Sequence, residues 1–168
     1  MNNIISIHSF RFFALVLAQV LIFNYINFYG NINPYPYILF IALFPVKNNR
    51  ITIISLSFLL GLCVDLFLDT GGMHAAACLF IAYVRPVILK FCFGTIYEHQ
   101  TIKFENVEFG SKLTYFTLLA VLHHLVLFSL ELFNIDKIIL VLQKTLFSSI
   151  FTILMCMILS IIFSRKAK

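Results

Sequence analysis

From Ile138 to Phe163 the chain carries a single charged side chain, Lys144. A helix needs about 20 mostly apolar residues to cross a hydrocarbon core about 30 Å thick. This stretch meets that requirement, and residues 12–28, 51–69, 73–93 and 113–133 come close to it. Repetition of such runs leaves few folds open. A chain that hides its backbone polar groups from lipid must close them within helices or in a barrel. Runs of this length point to an all-α membrane protein. The composition agrees: 61% of residues are hydrophobic and 11% charged, against about 45–50% and 25% in soluble domains.

A sixth apolar stretch, residues 35–46, is harder to place. "YILFIALFPV" (Tyr37 to Val46) is too short to cross alone at about 1.5 Å per residue. Either the lead-in with Pro34 and Pro36 joins it, or it is tilted or partly unwound. The basic residues bear on the choice. With the N-terminus cytoplasmic, inside segments carry Arg11, Lys47, Arg50, Lys90, Lys103, Lys112, Arg165, Lys166 and Lys168, and outside loops carry Lys137 alone. That asymmetry follows the positive-inside rule only if the short stretch crosses. The expectation is one integral membrane domain over residues 1–168, a six-transmembrane-helix bundle with both termini cytoplasmic. No cleaved signal peptide is expected, because the first apolar run continues past any cut near Ala18. The net charge of +5 forms no basic stripe, so nucleic acid is not an expected partner and membrane lipid is. The polar stretch after Gly94 alternates Ile102, Phe104, Val107 and Phe109, which suggests an interfacial segment on the cytoplasmic side.

Polar residues inside the spans are the candidates for function. Asp65 lies fourteen residues beyond Ile51, about 21 Å along the helix, toward the outer end of its span. A charged Asp is costly in lipid, so it should face other helices and find donors there. Gly61, Asp65 and Asp69 share one helix face at i, i+4, i+8. Asp69 opens the turn "DTGG" and is placed to cap the next helix, with Thr70 able to share that role. "DTG" also spells the aspartic-protease signature, but a single copy at a helix end does not let two carboxylates share a proton. His74 begins the next span and is expected to be hydrogen-bonded. Asp65, Asp69 and His74 could converge on a metal, which needs three or four ligands, but the chain has no HExxH and no second cluster, so a hydrogen-bonded His74 is the expectation. His123 and His124 point about 100° apart and are expected to bond between helices. Arg85 lies roughly 12 Å inside its span, where it would snorkel or meet a buried acid, and Pro86 frees a carbonyl in the preceding turn. A direct Asp65–Arg85 bridge would need tilt or a bridging water. Small residues at Ala14 and Ala18, and from Gly71 and Gly72 to Cys78, read as helix-packing or partner-contact seams. The four cysteines have no metal or redox spacing. No nucleophile–base order stands out, so no catalytic residue, metal or cofactor is assigned.

The stretch "NPYPYILFIALFPV" followed by "ITIISLSFLLGLCVDLFLDTGGMHAAACLFIAYVRPVIL" resembles the rod shape-determining MreD family in the form seen in Bacteroidetes. The resemblance rests on Pro34, Pro36, Gly61, Asp65, Gly72, His74, Tyr83, Arg85 and Pro86, and is specific between about Asn33 and Leu89. It implies a non-catalytic scaffold of the cell-elongation machinery in the bacterial inner membrane, acting in peptidoglycan synthesis and rod shape. Its expected direct partner is MreC, and through the complex MreB, RodA and a class B penicillin-binding protein. It also implies a fold similar to the S-component of energy-coupling-factor transporters. The alternative follows from that fold: a vitamin-binding transporter subunit with an outer cavity lined by Asp65, Asp69 and His74, docking its coupling partner through Ala14 and Ala18.

Overall fold

The computed structural model describes residues 2–26, 32–46, 49–94 and 107–164. These form helices and turns, with no strand among the described residues. Helix α1 (Asn2–Leu21) runs into a 3₁₀ turn, Phe23–Tyr25. A second 3₁₀ turn, Pro36–Ile38, leads into the short α2 (Leu39–Leu43). Then come α3 (Arg50–Leu68), α4 (Met73–Phe93), α5 (Phe109–Leu132) and α6 (Ile138–Ser164), the last preceded by a 3₁₀ turn at Ile135–Lys137. Helices α3 to α6 pack in chain order, and α1 lies against α3 and the short segment.

Among the described residues five helices, α1, α3, α4, α5 and α6, are long and apolar enough to cross a membrane. Their outward faces are apolar: Leu21, Leu66, Phe91 and Ile161 are all exposed. Inside lie Gln19, Asp65, His74, Arg85, His123, His124 and Thr152. A soluble protein hides apolar groups and exposes polar ones. This arrangement suits a solvent of lipid, where polar groups must bond to one another within the bundle.

Three boundaries differ from the sequence reading: both ends of α1, which stops at Leu21 before the 3₁₀ turn and short of residue 28, and the start of α5. Helix α1 begins at Asn2, well before residue 12, so Arg11 lies within it. There its Nη2 donates to the Phe163 carbonyl at 3.0 Å, tying the start of the chain to the end of α6. Helix α5 begins at Phe109, so the last of the polar stretch is helical. Ile102 and Phe104 of the expected interfacial segment lie outside the described residues.

The short segment is the centre of the molecule. Tyr37, Leu39 and Ile41 are fully buried, and Ile38, Phe40 and Ala42 nearly so. A lipid-facing helix exposes one side; this one exposes none. Pro34 and Pro36 explain its entry. Tyr35, caught before a proline, is held out of the helical region at φ −121°, ψ 64°. Pro36 then opens the 3₁₀ turn, where a missing N–H costs nothing. Such a short helix leaves most of its backbone groups without internal partners, and its neighbours supply them. Thr152 of α6 accepts the Tyr35 N–H at 2.9 Å. Gln19 of α1 donates to the Pro34 carbonyl at 3.2 Å.

Candidate functional site

Asp65 sits on the last turn of α3 with 4% of its surface exposed. Its Oδ1 accepts from the His74 N–H at 3.0 Å and the Thr70 hydroxyl at 2.5 Å. Its Oδ2 accepts from the Ala75 N–H at 2.8 Å. His74 and Ala75 belong to the first turn of α4, whose N–H groups have no partner within the helix. The Met73 and Ala76 N–H groups go to the Thr70 and Gly72 carbonyls, so every N–H of that turn is accounted for. The carboxylate thus caps the positive end of α4 from the preceding helix.

Gly61, one turn earlier, makes the approach possible. A Cβ there would fall 2.5 Å from the Ala75 Cα and from the His74 carbonyl oxygen. The spacing Gly61-x-x-x-Asp65 therefore has one physical meaning: glycine admits the end of α4, and aspartate a turn later binds it.

Asp69 has a different role from the one its position suggested. It ends α3 in the left-handed conformation, φ 54° and ψ 42°, with its N–H on the Asp65 carbonyl. The capping expected of Asp69 falls to Asp65, because Asp65 faces the α4 terminus while Asp69 is turned out and exposed. Gly71 and Gly72 lie in the same turn. They take positive φ values of 63° and 94°, and a Cβ on either would meet nothing within 4 Å. They shape the turn. The packing surface of α4 starts at Ala75, Ala77 and Cys78, all buried. Ala14 and Ala18 are half-buried, and the inward face of α1 is made by Leu15, Val16 and Gln19.

Behind Asp65 two hydrogen-bonded chains cross the interior. His74 Nδ1 lies 2.7 Å from the Tyr37 hydroxyl, and that oxygen lies 2.8 Å from His123 Nε2. The hydroxyl has one proton, so it donates to one ring and accepts from the other. His123 Nδ1 is buried without a partner. The second chain has a fixed direction. His124 Nδ1 is 2.6 Å from the Ala120 carbonyl, which only accepts, so Nδ1 carries the proton. Its Nε2 then accepts from the Thr152 hydroxyl at 3.2 Å, and Thr152 accepts from Tyr35. Adjacent histidines on α5 thus brace the short segment from two directions.

Arg85 lies eleven residues along α4 from His74, about 16 Å by helix rise. Asp65 and Arg85 do not pair. The guanidinium does not snorkel and meets no acid among the described residues: it is buried, with 4% exposed. Its Nε donates to the Tyr115 hydroxyl at 2.9 Å, and Nη2 donates to the carbonyls of Ala42, at 3.2 Å, and Phe44. Tyr115 donates to the same Ala42 carbonyl at 3.0 Å. The end of the short helix carries partial negative charge, and a cation there is favourable. In the turn that Pro86 interrupts, Arg50 donates to the Tyr83 carbonyl at 3.3 Å and lies over the Tyr83 ring.

Close to Asp65 the 3₁₀ turn after α1, the lead-in to the short segment and the ends of α3, α4 and α5 leave a cavity of about 220 Å³. Asn24, Asn33, Tyr35, Thr70, His74 and Glu131 give it a polar side, and Leu68, Met73 and Leu127 an apolar one. Glu131 pairs with Lys144 at 2.8 Å. No cluster of three metal-ligating side chains is present among the described residues, and the four cysteines are free.

Tyr37, Tyr115, Gln19 and Thr152 were not singled out by the sequence reading. A tyrosine within an apolar span was the available signal, since a buried hydroxyl needs a partner. Comparison with protein-family models, curated proteins and solved structures found no match to this chain.

Proposed function

We propose that this chain is a non-catalytic scaffold of the cell-elongation machinery, related to MreD, with MreC as its direct partner in the bacterial inner membrane. MreB, RodA and a class B penicillin-binding protein would join through the complex. One observation carries the reading. The residues behind the resemblance are spent on holding helices together: Gly61 and Asp65 join α3 to α4, His74 anchors Tyr37, and Arg85 closes the short segment. Apart from His74 Nε2, which no hydrogen bond engages among the described residues, the polar atoms named here bond to the protein's own backbone and side chains, as a structural frame requires.

The same reading includes six crossings with both termini cytoplasmic. The 3₁₀ turn and α2 together rise about 14 Å. Non-helical residues 32–35 and 44–46 lengthen it at both ends, which supports a crossing built from a short helix and two irregular ends. Lipid is kept away from those ends by the surrounding helices, as irregular backbone at membrane depth demands. A cysteine placed at Asn134, in a chain with its native cysteines replaced, should react with an impermeant reagent from the periplasm only. Reaction from the cytoplasm alone would reverse the topology.

The deciding experiment is a gentle-detergent pull-down of the tagged protein from native membranes with mass spectrometry. Recovery of MreC and the elongation synthase is expected. Recovery of a transporter's coupling subunit with its ATPases would replace the scaffold by the vitamin-binding subunit. The cavity beside His74 favours that second reading, but its 220 Å³ is below the roughly 300–1,000 Å³ of ordinary small-molecule sites.

A further inference from the structure

We propose that the cavity beside His74 is a binding site for a small primary ammonium group. The proposal stands on the cavity's chemistry and does not depend on the scaffold reading. The one charged side chain in the lining is Glu131. Lys144 engages its Oε1, which leaves the second carboxylate oxygen for another donor. The surroundings have the same sign. Among the described residues, Asp65, Asp69, Glu131 and Asp136 lie at this end of the bundle, against Lys137 and Lys144. A carboxylate or phosphate would enter against that field, whereas an ammonium would be drawn into it.

The polar side offers a second contact. Tyr37 holds His74 through Nδ1, so Nε2 is the ring nitrogen left to the cavity that His74 lines. It can accept an N–H or donate to a neighbouring hydroxyl, according to which way the Tyr37 proton points. Leu68, Met73 and Leu127 provide room for one or two methylene groups. The volume of about 220 Å³ corresponds to about seven waters. That admits an aminoethyl group and rejects a bulky solute. The cavity opens where α3 ends and α4 begins, at the depth of lipid headgroups if these helices span the bilayer. Two sources therefore share the chemistry: the headgroup of phosphatidylethanolamine and a free small amine.

The test uses the full-length protein reconstituted in vesicles with phosphatidylglycerol and either phosphatidylethanolamine or phosphatidylcholine, then re-extracted for native mass spectrometry. In parallel, lipid-free protein in detergent is melted with ethanolamine or choline. The trimethylated partners carry the charge but cannot donate a hydrogen bond. Phosphatidylethanolamine should be retained about tenfold over phosphatidylcholine, the effect of one charge-assisted hydrogen bond. A gain in melting temperature with ethanolamine, and no lipid preference, would assign the site to a free amine. Glu131→Gln should remove the preference. Leu127→Phe, which fills the cavity and leaves every charge in place, should remove it too and separates occupancy from misfolding. Equal retention of the two lipids together with equal melting in the two amines would overturn the proposal. So would a preference that survives both substitutions.

Discussion

Asp65 and Arg85 are both buried charged side chains on the α3–α4 hairpin, and neither has a counter-ion among the described residues. Each solves the same problem at the opposite pole of a helix. Asp65 takes the N–H groups that begin α4; Arg85 takes the carbonyls that end the short central segment. The difference lies in distance along the chain. Asp65 binds groups nine and ten residues ahead, in a hairpin that forms locally. Arg85 binds groups forty-one and forty-three residues behind it, and it can do so only once the segment is already threaded through the bundle. One ion closes a turn, and the other locks the core. If that is right, losing Arg85 should do more damage than losing Asp65.

Arg85→Met should therefore have the largest effect. It leaves the Phe44 carbonyl without its donor and takes from the Ala42 carbonyl one of its two, in a region that no water reaches easily. The expected loss is about 3–5 kcal/mol, read as early unfolding in a detergent titration. Arg85→Lys should recover part of it, because one ammonium reaches fewer acceptors than a planar guanidinium. A loss no greater than that of Asp65→Asn would erase the asymmetry.

Gly61→Ala comes next. The added methyl would strike the backbone at His74 and Ala75, which cannot rotate away as a side chain would. The α3–α4 crossing would have to open, carrying Asp65 off its donors, at a cost of about 3 kcal/mol. Combining it with Asp65→Asn should cost less than the sum, because the two changes break one contact. Full additivity would show that glycine and aspartate act independently.

Asp65→Asn alone should cost about 2 kcal/mol. The amide oxygen can still accept from Thr70 and His74, but its NH₂ would face the Ala75 N–H, donor against donor. Hydrogen exchange should rise in the first turn of α4 and remain unchanged around Arg85. Faster exchange at both sites would mean that the two ions stabilise a single cooperative unit.

The same contrast governs what could be read without a structure. The five long helices were legible because hydropathy is a local property, and Asp65 stood out because a carboxylate in a lipid span needs donors. Gly61 and Asp65 shared a face, and their target lay just across a four-residue turn. Arg85 was visible as an anomaly, but its partners were not, since nothing in residues 80–90 points to the carbonyls of Ala42 and Phe44. The pairing of Tyr37 with His123 spans eighty-six positions and depends on the placement of α5. The cavity is assembled from the ends of α3, α4 and α5 and two connecting segments, and no local pattern encodes its volume. Asp69 misled for the opposite reason: its residue type suits a cap, but the chain had already placed Asp65 there.

Asp69 gives the smallest and most discriminating test. Its backbone is left-handed at φ 54°, a conformation that costs most L-residues roughly 1–2 kcal/mol and aspartate less. If the position matters through its backbone, Asp69→Gly should be neutral or stabilise by about 0.5 kcal/mol. Asp69→Ala, which has neither glycine's freedom nor a polar side chain, should cost about 1 kcal/mol. Melting the two variants beside wild type separates the alternatives, because both lack the carboxylate and differ in conformational freedom. Opposite signs would leave the helix cap to Asp65 alone. A loss with glycine as large as the loss with alanine would mean that the Asp69 carboxylate, and not its backbone, sets the value of the turn.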